Sequence, residues 1–269
     1  MVDGKITKDI IIRDFLTLGI CSGDTILLHS SLKSLGRVEG GADTVIDALL
    51  ELLGEEGALL MPSFQSGSEF YLVDRGCIFD VRTSPSELGI ITETFRKRPG
   101  VIRSLNPTHS TAGTGKQAAQ LLSGHEKCQV SCGFGSPYCK IIQAHGKIVL
   151  LGVGHQSNTT LHFVENTNGA PTVCSVLYQP EVIDSSGNKI VVPTYPHMPK
   201  LGRDFSRVEP YLLEAGLQIN GCVGQAETRV INAYGMNQLI GGIIRQNPML
   251  LIVPFNPGSE TGDGFNAVP

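Results

Sequence analysis

The amino-acid sequence predicts an α/β fold in which helices cover both faces of a mixed central β-sheet. Short apolar stretches rich in leucine and β-branched residues alternate along the chain with amphipathic stretches of helical spacing, a pattern that favours a sheet between two helical layers. After about residue 170 come two alternating runs joined by Ser-Ser-Gly-Asn, which is typical of a β-hairpin. Because a hairpin pairs its strands antiparallel, we expect a mixed sheet rather than a wholly parallel one.

The first hundred residues supply three helices and two strands. The segments 7–19 and 42–54 have apolar residues at helical spacing and each ends at a glycine, so both are predicted helices. The segments 24–30 and 57–64 have the composition of short buried strands. A third helix is predicted over 84–100, because the stretch begins with the capping-box sequence Ser-Pro-Ser-Glu and ends with basic residues and Pro-Gly.

The rest of the chain continues the alternation. In chain order, the further predicted elements are helices over 115–124 and 136–146, a strand at 147–151, a short helix capped by Thr159 or Thr160, the hairpin at 172–195, a helix at 233–246 and a strand at 249–253. The sequence contains no linker-like stretch or internal repeat. We therefore expect one domain over 1–269, more β-rich from about residue 170, with a loose tail at 256–269.

Composition excludes several classes of protein. The 269 residues are 41% hydrophobic and 17% charged, with a net charge of −4 and no run of five like charges, which argues against nucleic-acid binding. No apolar run approaches the roughly 20 residues of a membrane span, and the N-terminus lacks a secretory signal. Seven cysteines are scattered along the chain, which indicates free thiols in a reducing compartment such as the cytoplasm.

Three familiar site patterns are incomplete. The segment "TAGTGKQAA" departs from a phosphate-binding loop, because Ser110 stands where its first glycine should be and Gln117 follows the lysine. The segment "GFGSPYC" lacks the GxSxG arrangement of a hydrolase nucleophile. His125 and three cysteines lie close together, but their spacing matches no paired zinc pattern. We therefore expect no metal site.

Three histidine-bearing segments follow predicted strands or turns, where open α/β sheets bind their ligands. In "GVGHQSNTTLHFVEN" (152–166), His162 and Glu165 stand three residues apart on a predicted helix. This spacing puts their side chains on one face, so a carboxylate can receive one ring N–H while the other nitrogen acts as a base. An exposed pair brought together by chance is the alternative. His155, in the preceding loop, is interpreted as part of the scaffold.

The other two segments are the loop "LLHSSLKSLGRVEGG" (27–41), which begins at His29, and "NPTHSTAG", which contains His109. The loop is longer than a plain strand-to-helix connection of about 2–6 residues. Its backbone N–H groups can hold an anion or a carbonyl oxygen, although a simple connection remains an alternative. A histidine in a loop is more often structural than catalytic, so His29 and His109 are candidates for a supporting role only.

Four ordered segments carry a family resemblance. "LLHSSLKSLGRVEGGADTVIDALLELLGEEGALLMPSF", "FDVRTSPSELGIITETFRKRPGVIRSLNPTHSTAG", "GFGSPYCKI" and "GKIVLLGVGHQSNTTLHFVE" resemble the aminoglycoside 3-N-acetyltransferases, also called antibiotic N-acetyltransferases. The resemblance covers about residues 10 to 170. It implies an α/β/α sandwich, acetyl-coenzyme A as the acetyl donor, and the 3-amino group of a cationic aminoglycoside as the acceptor, hence antibiotic resistance.

The resemblance also implies roles for individual residues. His162 matches the family's catalytic base and Glu165 its partner. The coenzyme is expected along the "HSSL…LG" turn and beside His109, at Ser30, Ser31, Leu32, Lys33, Ser34, Leu35, Gly36, Thr108 and Ser110. The acceptor's ammonium groups are expected to meet carboxylates, for which the candidates are Glu69, Asp74, Asp80 and Glu165.

The resulting hypothesis is direct acetyl transfer to a primary amine that His162 deprotonates. Three alternatives stay open at this point. The acetyl group can pass first to one of the seven cysteines, giving an acetyl-enzyme. The same scaffold can serve another small primary amine. A small-molecule-binding protein without catalytic activity is the third alternative, and it explains the His–Glu pair poorly.

Overall fold

The computed structural model describes residues 5–255. The segment 256–269, expected to be a loose tail, lies outside the described residues. The helices are α1 (Lys8–Thr17), α2 (Ala42–Leu53), α3 (Glu69–Asp74), α4 (Ile90–Phe95), α5 (Ala118–Leu122), α6 (Pro137–Gln143), α7 (Thr160–Thr167), α8 (Glu209–Glu214) and α9 (Ala233–Gln246).

The strands of the described part of the chain form three sheets. They are β1 (Thr25–Ser30), β2 (Ala58–Pro62), β3 (Ile78–Asp80), β4 (Ile102–Arg103), β5 (Thr111–Gly115), β6 (Lys147–Leu151), β7 (Glu181–Ile183), β8 (Lys189–Val191), β9 (Gly202–Arg203), β10 (Gln218–Val223), β11 (Ala226–Asn232) and β12 (Ile252–Val253). The largest sheet has seven strands in the order β10-β11-β6-β1-β2-β5-β4. Its centre is parallel, since β1 pairs with β2 and with β6 in that sense, and its flanks are antiparallel.

Side-chain alternation along the central strands produces two apolar cores. Ile26 and Leu28 of β1 pack on one face with residues of α1, α2 and α4. Leu27 packs on the other face with residues of α5 to α9, as expected when successive strand residues point to opposite faces. The predicted α/β fold, with a mixed sheet between two helical layers, is confirmed.

The seven-stranded sheet is mixed because of strands other than the predicted hairpin. The predicted hairpin does form as β7 and β8, but it pairs with β3 in a separate three-stranded sheet. The antiparallel members of the main sheet are instead β4, β5, β10 and β11, which were not predicted as strands. The segment 249–253 contributes only the two residues of β12, which pair with β9.

The helix predicted over 84–100 is wrong in length and in its cap. Only α4 is helical there, and it begins after Gly89, whose φ of 116° interrupts the segment. The hydroxyl of Ser84 accepts the amide of Asp80, and the Glu87 carboxylate accepts the amide and hydroxyl of Ser66. The capping-box residues therefore fix loops and do not cap a helix.

Other predicted helices are placed correctly. Thr7 caps α1 through its hydroxyl, Ser136 caps α6 in the same way, and α9 has the predicted bounds. The segment 115–124 is helical only over α5, because its beginning belongs to β5. Among residues 5–255, no helix is long and apolar enough to cross a membrane.

Candidate active site

The carboxyl ends of the three parallel strands meet at one edge of the main sheet. There β1 ends at Ser30, β2 at Pro62 and β6 at Leu151. The loop after β6 leads through a short 3₁₀ turn into α7. Since ligands bind beyond the carboxyl ends of strands in open α/β sheets, this edge is where the candidate residues should gather.

The predicted pair lies on α7 at this edge and is buried. His162 is 1% exposed and Glu165 is fully buried, which excludes the interpretation as an exposed chance pair. The Nδ1 atom of His162 lies 3.5 Å from Oε2 of Glu165, longer than an ordinary hydrogen bond. Thr159 stands at the N-cap position of α7, as predicted, although its side chain makes no capping hydrogen bond.

A third residue contacts the pair. The Nε atom of Arg203, in β9, donates to Oε2 of Glu165 at 3.0 Å, and both side chains are buried. Two residues later, the ring of Phe205 packs against the imidazole of His162 with centroids 5.0 Å apart and planes at 71°. A segment some forty residues beyond α7 in the chain therefore contacts both members of the pair.

A second buried carboxylate organises the histidines beside His162. Oε1 of Glu69 accepts the hydroxyl of Thr108 at 2.7 Å and lies 3.4 Å from Nδ1 of His109. Oε2 accepts the backbone amide of His197 at 2.8 Å and lies 2.6 Å from Nδ1 of the same residue. Each carboxylate oxygen thus faces two donors, which is its full capacity.

The hydrogen-bond pattern fixes the tautomer of His197. Its Nε2 accepts from the side-chain amide of Asn166 at 3.0 Å, and Oδ1 of Asn166 accepts the hydroxyl of Thr172 at 2.9 Å. The proton of His197 therefore sits on Nδ1 and points at Glu69. The imidazole rings of His197 and His162 lie 4.5 Å apart between centroids.

Glu69, His109 and His197 also form the one group within residues 5–255 that could hold a metal ion, with ligand atoms within 4.8 Å of one another. A metal there would displace the proton that His197 donates to the carboxylate. The saturated hydrogen bonds of Glu69 fit a structural hub better than a metal site.

Burial and charge both act on the base candidate. Burial lowers the pKa of His162 well below its usual value, and His197, Arg203 and His109 lower it further, while Glu69 opposes them. The imidazole is therefore neutral at physiological pH and can accept a proton.

The predicted coenzyme turn, 30–36, follows β1 as a short 3₁₀ helix over Leu32–Leu35. The hydroxyl of Ser34 bonds the hydroxyl of Ser31 and the carbonyl of Gly152, both at 3.0 Å, which ties the turn to the loop after β6. Gly152 has a φ of 68°, and a Cβ there would lie 2.4 Å from the Cβ of Ser34. Only glycine allows the two loops to approach this closely.

Several polar atoms at this edge have no partner in the protein. These atoms are Nε2 of His29, Oγ of Ser30, Oγ of Ser63, and Oγ1 of Thr159 and Thr160. The His29 ring is neutral, because burial lowers its pKa to about 3. Orphaned buried polar groups are costly unless a ligand or water bonds them. These five atoms lie at or after the ends of β1 and β2 and at the start of α7, and they offer hydrogen-bonding groups to a polar ligand.

Other predicted site residues are already engaged. The hydroxyl of Ser110 donates to the carbonyl of Ser104, and that of Thr108 donates to Glu69. The coenzyme contacts predicted for these two hydroxyls stay predictions, and each hydroxyl would have to accept a hydrogen bond from the coenzyme while donating within the protein. The assignment of Glu69 to the acceptor also stays a prediction, and the neighbours of its carboxylate in the protein compete with it.

The remaining acidic candidates, Asp80 and Asp74, differ in whether a cation already pairs with their carboxylate. Asp80 is paired with Arg82 at 2.8 Å, and this guanidinium holds the pKa of the Asp80 carboxyl well below its usual range. An ammonium group would have to compete with that pair, which disfavours the acceptor contact predicted for Asp80. Asp74 is exposed, and among residues 5–255 its carboxylate accepts a hydrogen bond only from the hydroxyl of Tyr178, at 3.3 Å.

Sequence reasoning missed His197, Arg203 and Phe205. All three follow the hairpin in the segment 192–205, where the one strand, β9, has two residues and the rest is irregular. Periodicity gives no signal in such a segment. The one available clue was a histidine between prolines in "TYPHMPK".

Comparison with known proteins bears on the whole chain. A family model described as aminoglycoside 3-N-acetyltransferase matches residues 27–241. The chain is 32% identical over 250 residues to aminoglycoside N(3)-acetyltransferase IV of Salmonella sp, covering 91% of this chain and 89% of that protein.

Two solved structures are similar as well. A histidine-to-alanine mutant of the aminoglycoside acetyltransferase AAC(3)-IVa in complex with a gentamicin has a TM-score of 0.81 at 28% identity, covering 98% of this chain and all of that one. AAC-IIIb, in a binary complex with CoASH, has a TM-score of 0.78 at 22% identity over 90% of this chain and 97% of that one, and shows the shared fold.

Proposed function

The chain belongs to the aminoglycoside 3-N-acetyltransferase family, and from that premise we propose how its own residues perform the reaction. The acetyl group of acetyl-coenzyme A is transferred to the 3-amino group of an aminoglycoside, with His162 as the general base. The observation that carries the proposal is the buried His162, with Glu165 at its Nδ1, at the carboxyl edge of the sheet.

The chemistry of this edge fits the coenzyme. A pantetheine chain offers amide donors and acceptors in succession, and the orphaned atoms of His29, Ser30, Ser63 and Thr160 offer matching groups without protein partners. The coenzyme supplies the acetyl group as a reactive thioester. The side chain of Lys33, in the 30–36 turn, supplies a cation for its phosphates.

His162 acts on the acceptor's nitrogen. Such an amine is largely an ammonium at neutral pH and must lose a proton to form the new C–N bond. Because Nδ1 faces Glu165, Nε2 is the atom that receives the proton. The neutral state imposed by burial keeps this nitrogen available, and a base so placed contributes roughly 10²–10⁴-fold.

The carbonyl oxygen of the acetyl group gains negative charge as the nitrogen attacks. Within the 30–36 turn, the amide of Ser31 bonds the carbonyl of Leu151 and that of Ser34 bonds Ser31. The amides of Leu32 and Lys33, which begin the 3₁₀ helix, are therefore our candidates to stabilise this oxygen, since the first amides of a helical turn have no internal partner.

A cysteine-linked acetyl-enzyme is less consistent with the thiols. Burial raises the pKa of both Cys77 and Cys128 to about 11 and also raises the pKa of Cys174. Only a small fraction of each is then the nucleophilic thiolate at neutral pH. Direct transfer therefore remains the mechanism that we propose.

The acceptor's other ammonium groups need a carboxylate. Of the carboxylates considered, Asp74 is the one that is exposed and not paired with a cation. We assign it to acceptor binding.

The test measures release of coenzyme A from acetyl-coenzyme A with gentamicin, apramycin and sisomicin as acceptors. We expect His162→Ala to lower turnover by roughly 10²–10⁴-fold while coenzyme binding and the unfolding midpoint stay near the wild-type values. His145→Ala is the matched control, because His145 is exposed and stacks on Tyr234. Because the released coenzyme A is measured as a free thiol, reactions without acceptor give the background signal of the exposed thiols of Cys21 and Cys222.

Retention of most activity by His162→Ala would remove the base assignment. Release of coenzyme A with other small amines, but with no aminoglycoside, would overturn the substrate assignment. A mass increase of one acetyl group after mixing with acetyl-coenzyme A alone would favour the acetyl-enzyme.

A further inference from the structure

Two histidines beside His162 share one carboxylate but differ at their second nitrogen. Both turn Nδ1 toward Glu69, His109 at 3.4 Å and His197 at 2.6 Å. Nε2 of His197 accepts a hydrogen bond from the side-chain amide of Asn166 at 3.0 Å. Nε2 of His109 has no hydrogen-bond partner in the described part of the chain. Because it is also not one of the enclosed polar atoms that lack a partner, this nitrogen opens onto accessible space.

The hydrogen bonds of Thr108 place the ring proton of His109. The hydroxyl of Thr108 has one proton to donate, and it lies 2.7 Å from Oε1 of Glu69 and 3.3 Å from Oδ1 of Asn106. An ionised carboxylate and an amide oxygen only accept. The oxygen of Thr108 therefore accepts from Nδ1 of His109 at 3.2 Å. The neutral ring of His109 then carries its proton on Nδ1 and its lone pair on Nε2.

The main chain of His109 is held on both sides. Its amide donates to Oδ1 of Asn106 at 2.8 Å, and its carbonyl accepts the hydroxyl of buried Tyr138, on α6, at 3.1 Å. The ring lies nearly perpendicular to that of His162, with centroids 6.0 Å apart and planes at 73°. His109 is 3% exposed and His162 is 1% exposed, so the ring of His109 is at least as accessible as that of the proposed base.

We propose that His109 binds the acceptor: its Nε2 accepts a hydrogen bond from the same amine that His162 deprotonates. The proposal rests on the proposed function, because it names a second contact of the reacting nitrogen. A primary ammonium group has three N–H donors. One proton passes to Nε2 of His162, while a second N–H stays intact and bonds Nε2 of His109. Two contacts then orient the nucleophile where one would leave it free to turn, and correct orientation lowers the barrier to attack.

The first measurement is a calorimetric titration with the best acceptor of the three aminoglycosides, in the presence of coenzyme A, which carries no acetyl group to transfer. His109→Asn keeps an amide near the position of Nδ1 but has no atom at that of Nε2. We expect it to weaken acceptor binding roughly tenfold or more, the loss of a hydrogen bond to a charged group, with coenzyme affinity unchanged. His109→Gln reaches the position of Nε2 with an amide oxygen, and we expect it to recover most of the affinity. His145→Asn is the matched control, because His145 is exposed and precedes β6 at the end of that strand opposite the site.

The second measurement, nitrogen NMR of histidine-labelled protein, needs no acceptor. The signals of His109 are assigned by their absence from His109→Gln, and we expect its proton on Nδ1 in the free protein. Addition of acceptor and coenzyme A should shift the Nε2 signal of His109.

A proton on Nε2 of His109 would overturn the proposal, as would wild-type acceptor affinity in folded His109→Asn. An equal loss of affinity in both His109 variants would assign the residue a structural role and overturn it too. If His109→Asn does not fold, weak acceptor binding by His109→Gln or the wrong tautomer still refutes the contact. Failure of the wild type to bind any aminoglycoside would instead count against the proposed function, and the tautomer of His109 is decided separately.

Discussion

Replacing Glu69 by glutamine tests whether this carboxylate is the hub of the histidine cluster. The four donors around it come from Thr108, His109 and His197. A glutamine keeps one oxygen for two of them and presents an NH₂ group to the other two. Two hydrogen bonds to a charged acceptor are lost, at about 1.5–3 kcal/mol each, so we expect Glu69→Gln to destabilise the fold by about 3 kcal/mol or more.

Thermal unfolding at neutral pH measures this loss. A destabilisation of about 3 kcal/mol corresponds to a fall in Tm of roughly 6–12 °C for a domain of this size. Asp74→Asn is the control, since Asp74 lies on the same helix but is exposed, and we expect its Tm to stay within about 2 °C of the wild type. A Tm for Glu69→Gln within that same margin would refute the reasoning.

The same carboxylate makes stability depend on pH. Burial alone would raise the pKa of Glu69, but His197 and His109 beside its carboxylate outweigh burial and hold this pKa well below its usual value. The unfolded chain therefore binds this proton more readily than the folded protein. The contribution is complete above the unfolded pKa near 4.5 and is lost as the pH falls through the lower folded pKa. The Tm difference between wild type and Glu69→Gln should shrink in acid.

Three further predictions follow from the site. Gly152→Ala should raise the KM for acetyl-coenzyme A and destabilise the fold by about 1–3 kcal/mol, because its Cβ would clash with Ser34 in the 30–36 turn. An unchanged KM would contradict the binding of the coenzyme at this turn. Asp74→Asn should raise the KM for the aminoglycoside while Asp80→Asn, whose carboxylate is paired, should not; equal effects would contradict the acceptor assignment. Iodoacetamide should modify exposed Cys21 well before buried Cys128, as intact and peptide mass spectrometry would show.

Elements with strong local signals were predictable from sequence. The helices α1, α2 and α9 and the strands β1, β2 and β6 match the expected segments closely, because each combines clear periodicity with a capping residue or glycine end. The failures have local causes too. The capping-box residues at 84–87 bond neighbouring loops instead of capping a helix. The strand β10, at the sheet edge, and its neighbour β11 contain many polar residues. Their pairing depends on tertiary contacts rather than on local pattern.

The site residues likewise include some that the sequence predicted and others that it did not. His162 and Glu165 were found because their spacing lies on one helix. Arg203 and His197 were not, since each reaches the site from an irregular segment whose position depends on long-range hydrogen bonds such as those of Gln156 and Asn166. Glu69 was expected to bind the acceptor, because an isolated carboxylate carries no sign that donors from three other residues will saturate it.

The buried charges around His162 suit the proton that we propose it accepts. Two buried carboxylates, Glu69 and Glu165, lie beside this histidine together with the buried guanidinium of Arg203. Arg203 offsets Glu165, while Glu69 remains to oppose the lowering of the His162 pKa. Proton uptake by His162 places its positive charge beside these carboxylates, in a region where an uncompensated charge is costly. In the proposed mechanism His162 is neutral at rest, and two carboxylates compensate its charge once it has taken up a proton. Glu165 is paired with Arg203, and Glu69 contacts His197.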